Sequence, residues 1–320
     1  MLPRIVFPIG PAAALLLIGP AGLWAQLKVT KLNETAEVTS FYRETTWNNL
    51  RGLRQVAGPL VIVTFVTESG FQPAQRGELD RPLPGSLRLK GLTSAGFQEI
   101  ADVIHEALVA ELAGAGIKAA PYESVAVNPG FRALAKEAPK TGKDKPVPPA
   151  YDILVRHSGA RRAVTYTGRR HPLVDSFLTS GYLPATRLTR ELNAALPIIA
   201  FLVDFVVYPG ERTATFDWSG FMTAAPASGS DLMRARPQIY VAGGSVEILM
   251  PGGQTASLTL TTPSGFNRRF VAGVKKVKAK KRAGASYEVT VDPAAYKLAV
   301  IETLKPHLAA IVRKMAAASH

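Results

Sequence analysis

Basic residues gather in two segments of the 320-residue chain that contain no acidic side chain. The first lies between Asp152 and Asp175, and the second between Glu247 and Glu288. Uniform positive charge attracts polyanions, because the fields of neighbouring cations add. The predicted anion-binding residues are Arg161, Arg162, Arg169, Arg170, Arg268, Arg269, Lys276, Lys278, Lys280 and Arg282.

The second segment has a spacing that would form a charged row on an extended backbone. Its row consists of Lys276, Lys278, Lys280 and Arg282. Side chains alternate along a strand, so these four share one face at intervals of ~6.6–6.8 Å. Like charges in a row repel one another, and the row therefore predicts an anionic partner. The alternative is a solvated loop.

A carboxylate, Asp204, interrupts the otherwise apolar stretch from Ile198 to Tyr208. Burial of an unpaired carboxylate is costly, so we expect Asp204 to meet an arginine or backbone N–H groups, or to lie at a sheet edge. A catalytic acid is one interpretation, and Asp175 is a second candidate for that role. We favour the other interpretation, in which Asp204 belongs to a structural ion pair.

Motifs for the common catalytic and cofactor chemistries are missing from the sequence. It contains no Gly-x-Ser-x-Gly elbow, no Walker loop and no His-Glu-x-x-His. With no cysteine and five histidines, a structural zinc site is not expected. We therefore predict neither a cofactor nor a metal.

Residues 1–25 have the layout of a secretory signal peptide. Arg4 is their only charge, Ala12 to Ile18 is apolar, and Ala25 offers a small residue for cleavage. Loss of this segment changes the net charge from +14 to +13. We expect a periplasmic or secreted protein, with peripheral association with the outer membrane as one option. Without disulfides, such a protein is stabilised by its core.

Export narrows the choice of anionic partner. Lipid headgroups, lipopolysaccharide, an acidic polysaccharide or an acidic protein are expected rather than nucleic acid. The second basic segment also lacks the aromatic side chains of a single-strand nucleic-acid platform, since none occurs between Val271 and Ser286.

The fold class is predicted from one strand–helix–strand pattern. Leu60 to Val66 is apolar or β-branched on both faces, which is typical of an interior strand covered on each side. A helix from Thr93 to Gly116 follows, and Ile117 to Ala120 is again extended. This predicts an α/β fold whose mixed sheet opens with a βαβ unit, followed by an antiparallel β portion and a C-terminal helix.

The chain divides into four parts after residue 25. Residues 26–58 form an N-terminal segment, 59–237 an α/β core and 238–292 an antiparallel β portion. Residues 293–320 form a helix expected to pack on the core. Its apolar stripe includes Leu298, Ile301, Leu304 and Leu308, and Pro306 is expected to kink or split it.

Four stretches in this order resemble a known family. They are LVIVTFV (60–66), FQEIADVIHEALVAELAGAG (97–116), YDILVR (151–156) and IIAFLVDFVVYPGERTATFDW (198–218). The pattern is similar to the α/β domain of the curli secretion channel subunit family and to the N-terminal domain of periplasmic Tol-propeller proteins. This resemblance implies an α/β fold and a role in assembling or secreting an envelope component. No binding or catalytic residue of that family can be assigned to a position of this chain from the resemblance.

Two functional hypotheses follow. The leading one is an exported, non-enzymatic accessory protein of the cell envelope that binds an anionic partner through basic surfaces, with homo-oligomer formation as an option. The other is a periplasmic hydrolase or transferase that uses Asp204 or Asp175.

Overall fold

A computed structural model describes residues 30–31, 38–71, 85–129, 131–132, 161–168, 182–207, 215–216, 222–223, 236–265, 269–277 and 285–320. The predicted signal peptide and the predicted strand at 151–156 lie outside these ranges. The strands are β1 (Thr30–Lys31), β2 (Tyr42–Thr45), β3 (Gln55–Ala57), β4 (Leu60–Phe71), β5 (Gly85–Lys90), β6 (Lys118–Ala120), β7 (Arg161–Thr167), β8 (Leu196–Val207), β9 (Thr215–Phe216), β10 (Met222–Thr223), β11 (Arg236–Leu249), β12 (Thr255–Leu260), β13 (Ser264–Gly265), β14 (Val271–Val277) and β15 (Ala285–Val291). Helices α1 (Ser94–Gly114), α2 (Tyr122–Ala126), α3 (Tyr182–Leu192) and α4 (Pro293–Ala318) lie among them.

Eleven of the described strands form one mixed sheet. Its main path runs β1–β13–β11–β8–β4–β5–β15–β14, with β12 and β2 attached through β11 and β7 attached to β4. The β4–β8 and β5–β15 pairs are parallel, whereas β8–β11 and β4–β5 are antiparallel. The predicted fold class, a mixed α/β sheet with a C-terminal helix, is confirmed. The strands between residues 236 and 291 belong to the same sheet as β4 and β8.

The central pair, β4 and β8, is covered on both faces. Val61, Val63 and Phe65 belong to the larger hydrophobic core, which includes side chains of α1 and α4. Leu60 and Ile62, which alternate with them, contact a smaller core formed with α2 and α3. The run of apolar side chains on both faces of β4 therefore reflects cover on both sides, as the sequence predicted.

Helix α1 follows its sequence pattern closely. The Thr93 hydroxyl accepts a hydrogen bond from the Gly96 N–H at 3.2 Å and caps the first turn. Phe97 contacts Phe65 of β4, with 4.8 Å between ring centroids. The buried residues recur every three or four positions and are Phe97, Ile100, Ala101, Ile104, Leu108 and Leu112. Their spacing places one face of the helix on the sheet.

The strand after α1, β6, does not pair with β4, the strand before α1, as it would in a simple βαβ unit. Strand β6 lies parallel to β3, and the two form a separate two-stranded sheet. Strand β4 has no vacant edge for it along its first half, because β8 pairs with residues 60–65 and β7 with residues 62–69. The parallel neighbour of β4 is therefore β8, much later in the chain.

Helix α4 packs on the core and runs unbroken through Pro306. The Asp292 carboxylate caps it by accepting a hydrogen bond from the Ala295 N–H at 2.9 Å. Leu304 and Leu308 are fully buried on either side of the proline, so packing compensates for the hydrogen bond that proline removes. The predicted split at Pro306 does not occur. Leu298, predicted on the apolar stripe, is 44% exposed.

Candidate functional site

The predicted basic residues divide between described and undescribed parts of the chain. Arg269 precedes β14, and Lys276 lies within it; both are exposed. Arg161 and Arg162 begin β7, opposite Ser69 and Glu68 of β4. Outside the described ranges are Arg169, Arg170, Arg268, Lys278, Lys280, Arg282 and Asp175. The charged row from Lys276 to Arg282 therefore stays a prediction beyond its first member.

Strand pairing places the two basic segments in one region of the sheet. Register partners connect β14, β15, β5, β4 and β7 in a single row, and the residues in this row are Lys275, Glu288, Arg88, Glu68 and Arg162. Positive and negative residues alternate along it. Four inter-strand intervals separate its ends, which corresponds to ~19–20 Å. We use the name basic sheet edge for this five-strand row together with Lys276 and Arg269, which lie at its β14 end.

Ion pairs engage the two acidic residues of the row. Arg88 Nε lies 3.0 Å from Glu68 Oε1, and Lys90 Nζ lies 3.7 Å from Glu288 Oε1. In both pairs the basic side chain is exposed and the acidic one is half-buried, and pairs near the surface contribute only ~0–1 kcal/mol to stability. Arg269, Lys275 and Lys276 make no ion pair with the described part of the chain. Within the described structure, their positive charges are therefore not neutralised by an ion pair.

Asp204 is fully buried where β4 and β8 diverge. The last β4–β8 register pair is Phe65 with Val203, and the β8–β11 register shifts just beyond Asp204. Asp204 Oδ1 accepts hydrogen bonds from the next two backbone N–H groups, at 2.7 and 3.3 Å, and Oδ2 accepts one from the Tyr240 hydroxyl at 3.4 Å. The carboxylate thus meets backbone N–H donors, one of the kinds of partner predicted from the sequence, where β8 leaves β4 and its register with β11 shifts.

A second tyrosine lies close to this carboxylate. Burial, followed by the negative charge of Asp204, raises the pKa of Tyr296 above its usual range. The buried Tyr296 hydroxyl has no hydrogen-bond partner among the described residues. Tyr296 contributes mainly through its ring, which contacts Phe97 and Phe270.

A buried chain of hydrogen bonds joins α4 to two strands. His307 Nδ1 lies 2.8 Å from the Tyr42 hydroxyl, and His307 Nε2 lies 2.9 Å from Ser264 Oγ. Burial lowers the pKa of His307 to about 3, so the imidazole is neutral near pH 7. A serine beside a histidine suggests a nucleophile and its base, but Ser264 and His307 are both fully buried. This geometry favours a structural role.

Glu247 is a second carboxyl group with a buried oxygen atom, on strand β11. Burial raises its pKa to about 7, and its Oε2 atom is buried without a hydrogen-bond partner among the described residues. Its register partner in β8 is Ile198, six residues from Asp204. That separation corresponds to ~20 Å along the strand, so these two carboxylates do not converge on one substrate.

Glu247, Ser264 and His307 are not among the candidate residues predicted from the sequence. For His307 a signal was present, because it falls three residues after Leu304 and four before Ile311, on the buried face of α4. For Glu247 the signal was weaker, since alternation with Val246 and Ile248 is equally typical of an exposed strand position.

The Tyr240 and Tyr296 hydroxyls allow a matched test of the Asp204 site. We expect Tyr240→Phe to reduce the free energy of unfolding by about 1–3 kcal/mol, because it removes a hydrogen bond to a buried carboxylate. Tyr296→Phe should be neutral or stabilising, because its hydroxyl lacks a partner in the described structure. Urea unfolding of both variants measures the difference. Equal destabilisation by the two would contradict this assignment.

His307 predicts an acid-dependent loss of stability. Its pKa is about 3 when folded and 6.5 in the reference state, so the unfolded chain binds the additional proton between these values. Stability is therefore complete above pH 6.5 and decreases as the pH falls towards 3. Between pH 7 and 5, His307 should account for a loss of about 2 kcal/mol, at 1.36 kcal/mol per pKa unit.

His307→Gln retains an amide donor and acceptor but does not titrate, so the variant should lose less stability over this interval. Glu247 acts in the opposite direction, because its raised pKa makes stability increase as the pH falls from 7 towards 4.5. This effect is common to both proteins and cancels in the comparison. Urea unfolding at pH 7 and pH 5 provides the values, and an identical pH dependence in both proteins would refute the role of His307.

Comparisons with family models, curated proteins and solved structures give no match to this chain. No helix in the described ranges is long and apolar enough to cross a membrane. Within the same ranges, no three His, Cys, Asp or Glu residues are grouped as metal ligands.

Proposed function

We propose that this chain is an exported, non-enzymatic accessory protein of the cell envelope that binds an anionic partner through the basic sheet edge. One observation carries the proposal: two basic segments, far apart in sequence, occupy the same row of strands. The acidic residues of that row are engaged by Arg88 and Lys90, while Lys275, Lys276 and Arg269 face no described acid within ion-pair distance.

The location of the protein rests on its sequence. The signal-peptide pattern of residues 1–25 supports export. Because the chain contains no cysteine, it can fold after export without forming disulfide bonds. In the cell envelope, anionic surfaces include lipid headgroups, lipopolysaccharide, acidic polysaccharides and acidic proteins. A role in assembling or secreting an envelope component agrees with the family resemblance described above.

A hydrolase or transferase using Asp204 or Asp175 is the second candidate. Asp204 supports it poorly, because backbone N–H groups and Tyr240 engage its carboxylate in a fully buried position. Glu247 lies ~20 Å further along the sheet, too far to share a reacting atom with Asp204. Nucleophilic and acid–base chemistry is therefore less well supported than binding.

If the basic sheet edge binds the anion, the location of the positive charges on the protein should determine binding as well as the net charge of the protein. The edge variant Arg269→Gln/Lys275→Gln/Lys276→Gln removes three positive charges from the basic sheet edge. A matched variant, Lys118→Gln/Lys305→Gln/Arg313→Gln, removes three exposed cations elsewhere. We expect the edge variant to lose most of its retention on anionic phospholipid vesicles, lipopolysaccharide and polyglutamate, while the matched variant keeps it.

Retention by the unmodified chain should weaken steeply above ~0.15 M salt, where the screening length is ~8 Å. Thermal melts of both variants should stay close to that of the unmodified chain, because all six residues are exposed. Equal losses in the two variants would show that binding depends only on net charge. Failure of the unmodified chain to bind any of the three probes at low salt would refute the proposed function.

A further inference from the structure

Strand β14 is the last strand on the main path of the sheet, and no other strand of the described residues lies along its outer edge. Among the described residues, β14 pairs only with β15. The residues from Ala272 to Lys276 are all exposed, and Val274 retains 58% exposure. An edge strand carries a row of backbone N–H and C=O groups that point away from the sheet. These groups can pair with another extended segment.

We propose that β14 binds an extended acidic peptide segment, which pairs with it as an added strand. This inference rests on the proposed function and specifies the partner. A peptide uses both features of β14, because its backbone satisfies the open edge while its carboxylates meet the lysines. A lipid headgroup or polysaccharide can use the charges but cannot form the strand ladder.

The side chains of β14 define the pattern that the partner must carry. Lys275 and Lys276 are adjacent, so they point to opposite faces of the sheet. The added strand therefore needs two adjacent acidic residues, one opposite each lysine, and an apolar residue opposite Val274. Glu288, the register partner of Lys275, is engaged by Lys90, which reduces competition for Lys275.

Lysines and bulges on edge strands also protect proteins from aggregation, which is the competing explanation. In β14 the register shift lies between Val271 and Gly273, at one end of the strand. From Gly273 to Val277 the pairing with β15 is uninterrupted, so five residues keep a regular edge. The exposed Val274 within this regular edge favours binding over protection.

The experiment uses the full chain and a synthetic peptide that matches the seven-residue length of β14. The peptide has a central Glu-Asp pair within a Val- and Thr-rich sequence. Two further versions carry N-methyl groups on alternate backbone nitrogens, one on the even and one on the odd residues. All three have the same side chains and charge, but each methylated version blocks the N–H groups of a different edge. Affinity is measured by fluorescence anisotropy.

We expect the parent peptide and one methylated version to bind, and the other methylated version to bind about tenfold more weakly or worse, because only one peptide edge faces β14. Lys275→Gln/Lys276→Gln should weaken binding of the parent peptide about two- to thirtyfold through the loss of two cross-strand pairs. Lys305→Gln/Arg313→Gln, the matched control, should leave it unchanged.

The alternative results separate this inference from the proposed function. Equal affinity for both methylated peptides would refute strand addition, while charge-based binding would remain. Binding of anionic phospholipid vesicles without any peptide binding would likewise refute it and assign the edge to a membrane surface. Self-association of the Lys275→Gln/Lys276→Gln variant with unchanged peptide affinity would show that the lysines only protect the edge. Loss of binding to every anionic probe would refute both proposals.

Discussion

The parallel pairing of β4 with β8 is the constraint on which the remaining architecture depends. Both strands are apolar on both faces, so each face must be covered for the pair to be stable. Helices α1 and α4 cover one face, and α2 and α3 cover part of the other. Burial of this pair therefore fixes the positions of helices that come from distant parts of the sequence.

The same pair explains the two features that matter most for function. Beyond Phe65 and Val203 the strands diverge, and Asp204 stabilises β8 at that point through backbone hydrogen bonds. The divergent end of β4 then pairs with β5, which leads through β15 to β14. The basic sheet edge is thus an extension of a strand whose other half is anchored in the core.

The spacing of apolar residues along the sequence was sufficient to predict which side chains of α1 and β4 are buried. The burial of Phe97, Ile104 and Leu108 follows from helical spacing, and the cover on both faces of β4 follows from its composition. Leu298 is exposed although Tyr296, Ala299 and Val300 beside it are buried, because at 100° per residue it lies on the same side of α4 as the exposed Lys305.

Long-range pairing lay beyond a single sequence. Nothing in the local pattern indicates that β6 pairs with β3, or that Lys275 and Arg162 share a row. The contact of His307 with Tyr42 and Ser264 likewise joins three distant segments. The charge of the basic segments could therefore be recognised from the sequence, whereas their position in one region of the sheet required the structure.

A distance between one residue of each basic segment measures whether the two segments lie in one region of the sheet. The chain contains no cysteine, so Arg162→Cys/Lys275→Cys carries spin labels at two defined sites only. Pulsed electron–electron double resonance should give a single distance distribution near ~20 Å, broadened by the label linkers, because four strand intervals separate these residues. A distribution centred well beyond ~35 Å would mean that Arg162 and Lys275 are not separated by four strand intervals of ~4.7–4.9 Å, and that the two basic segments do not share one row of strands.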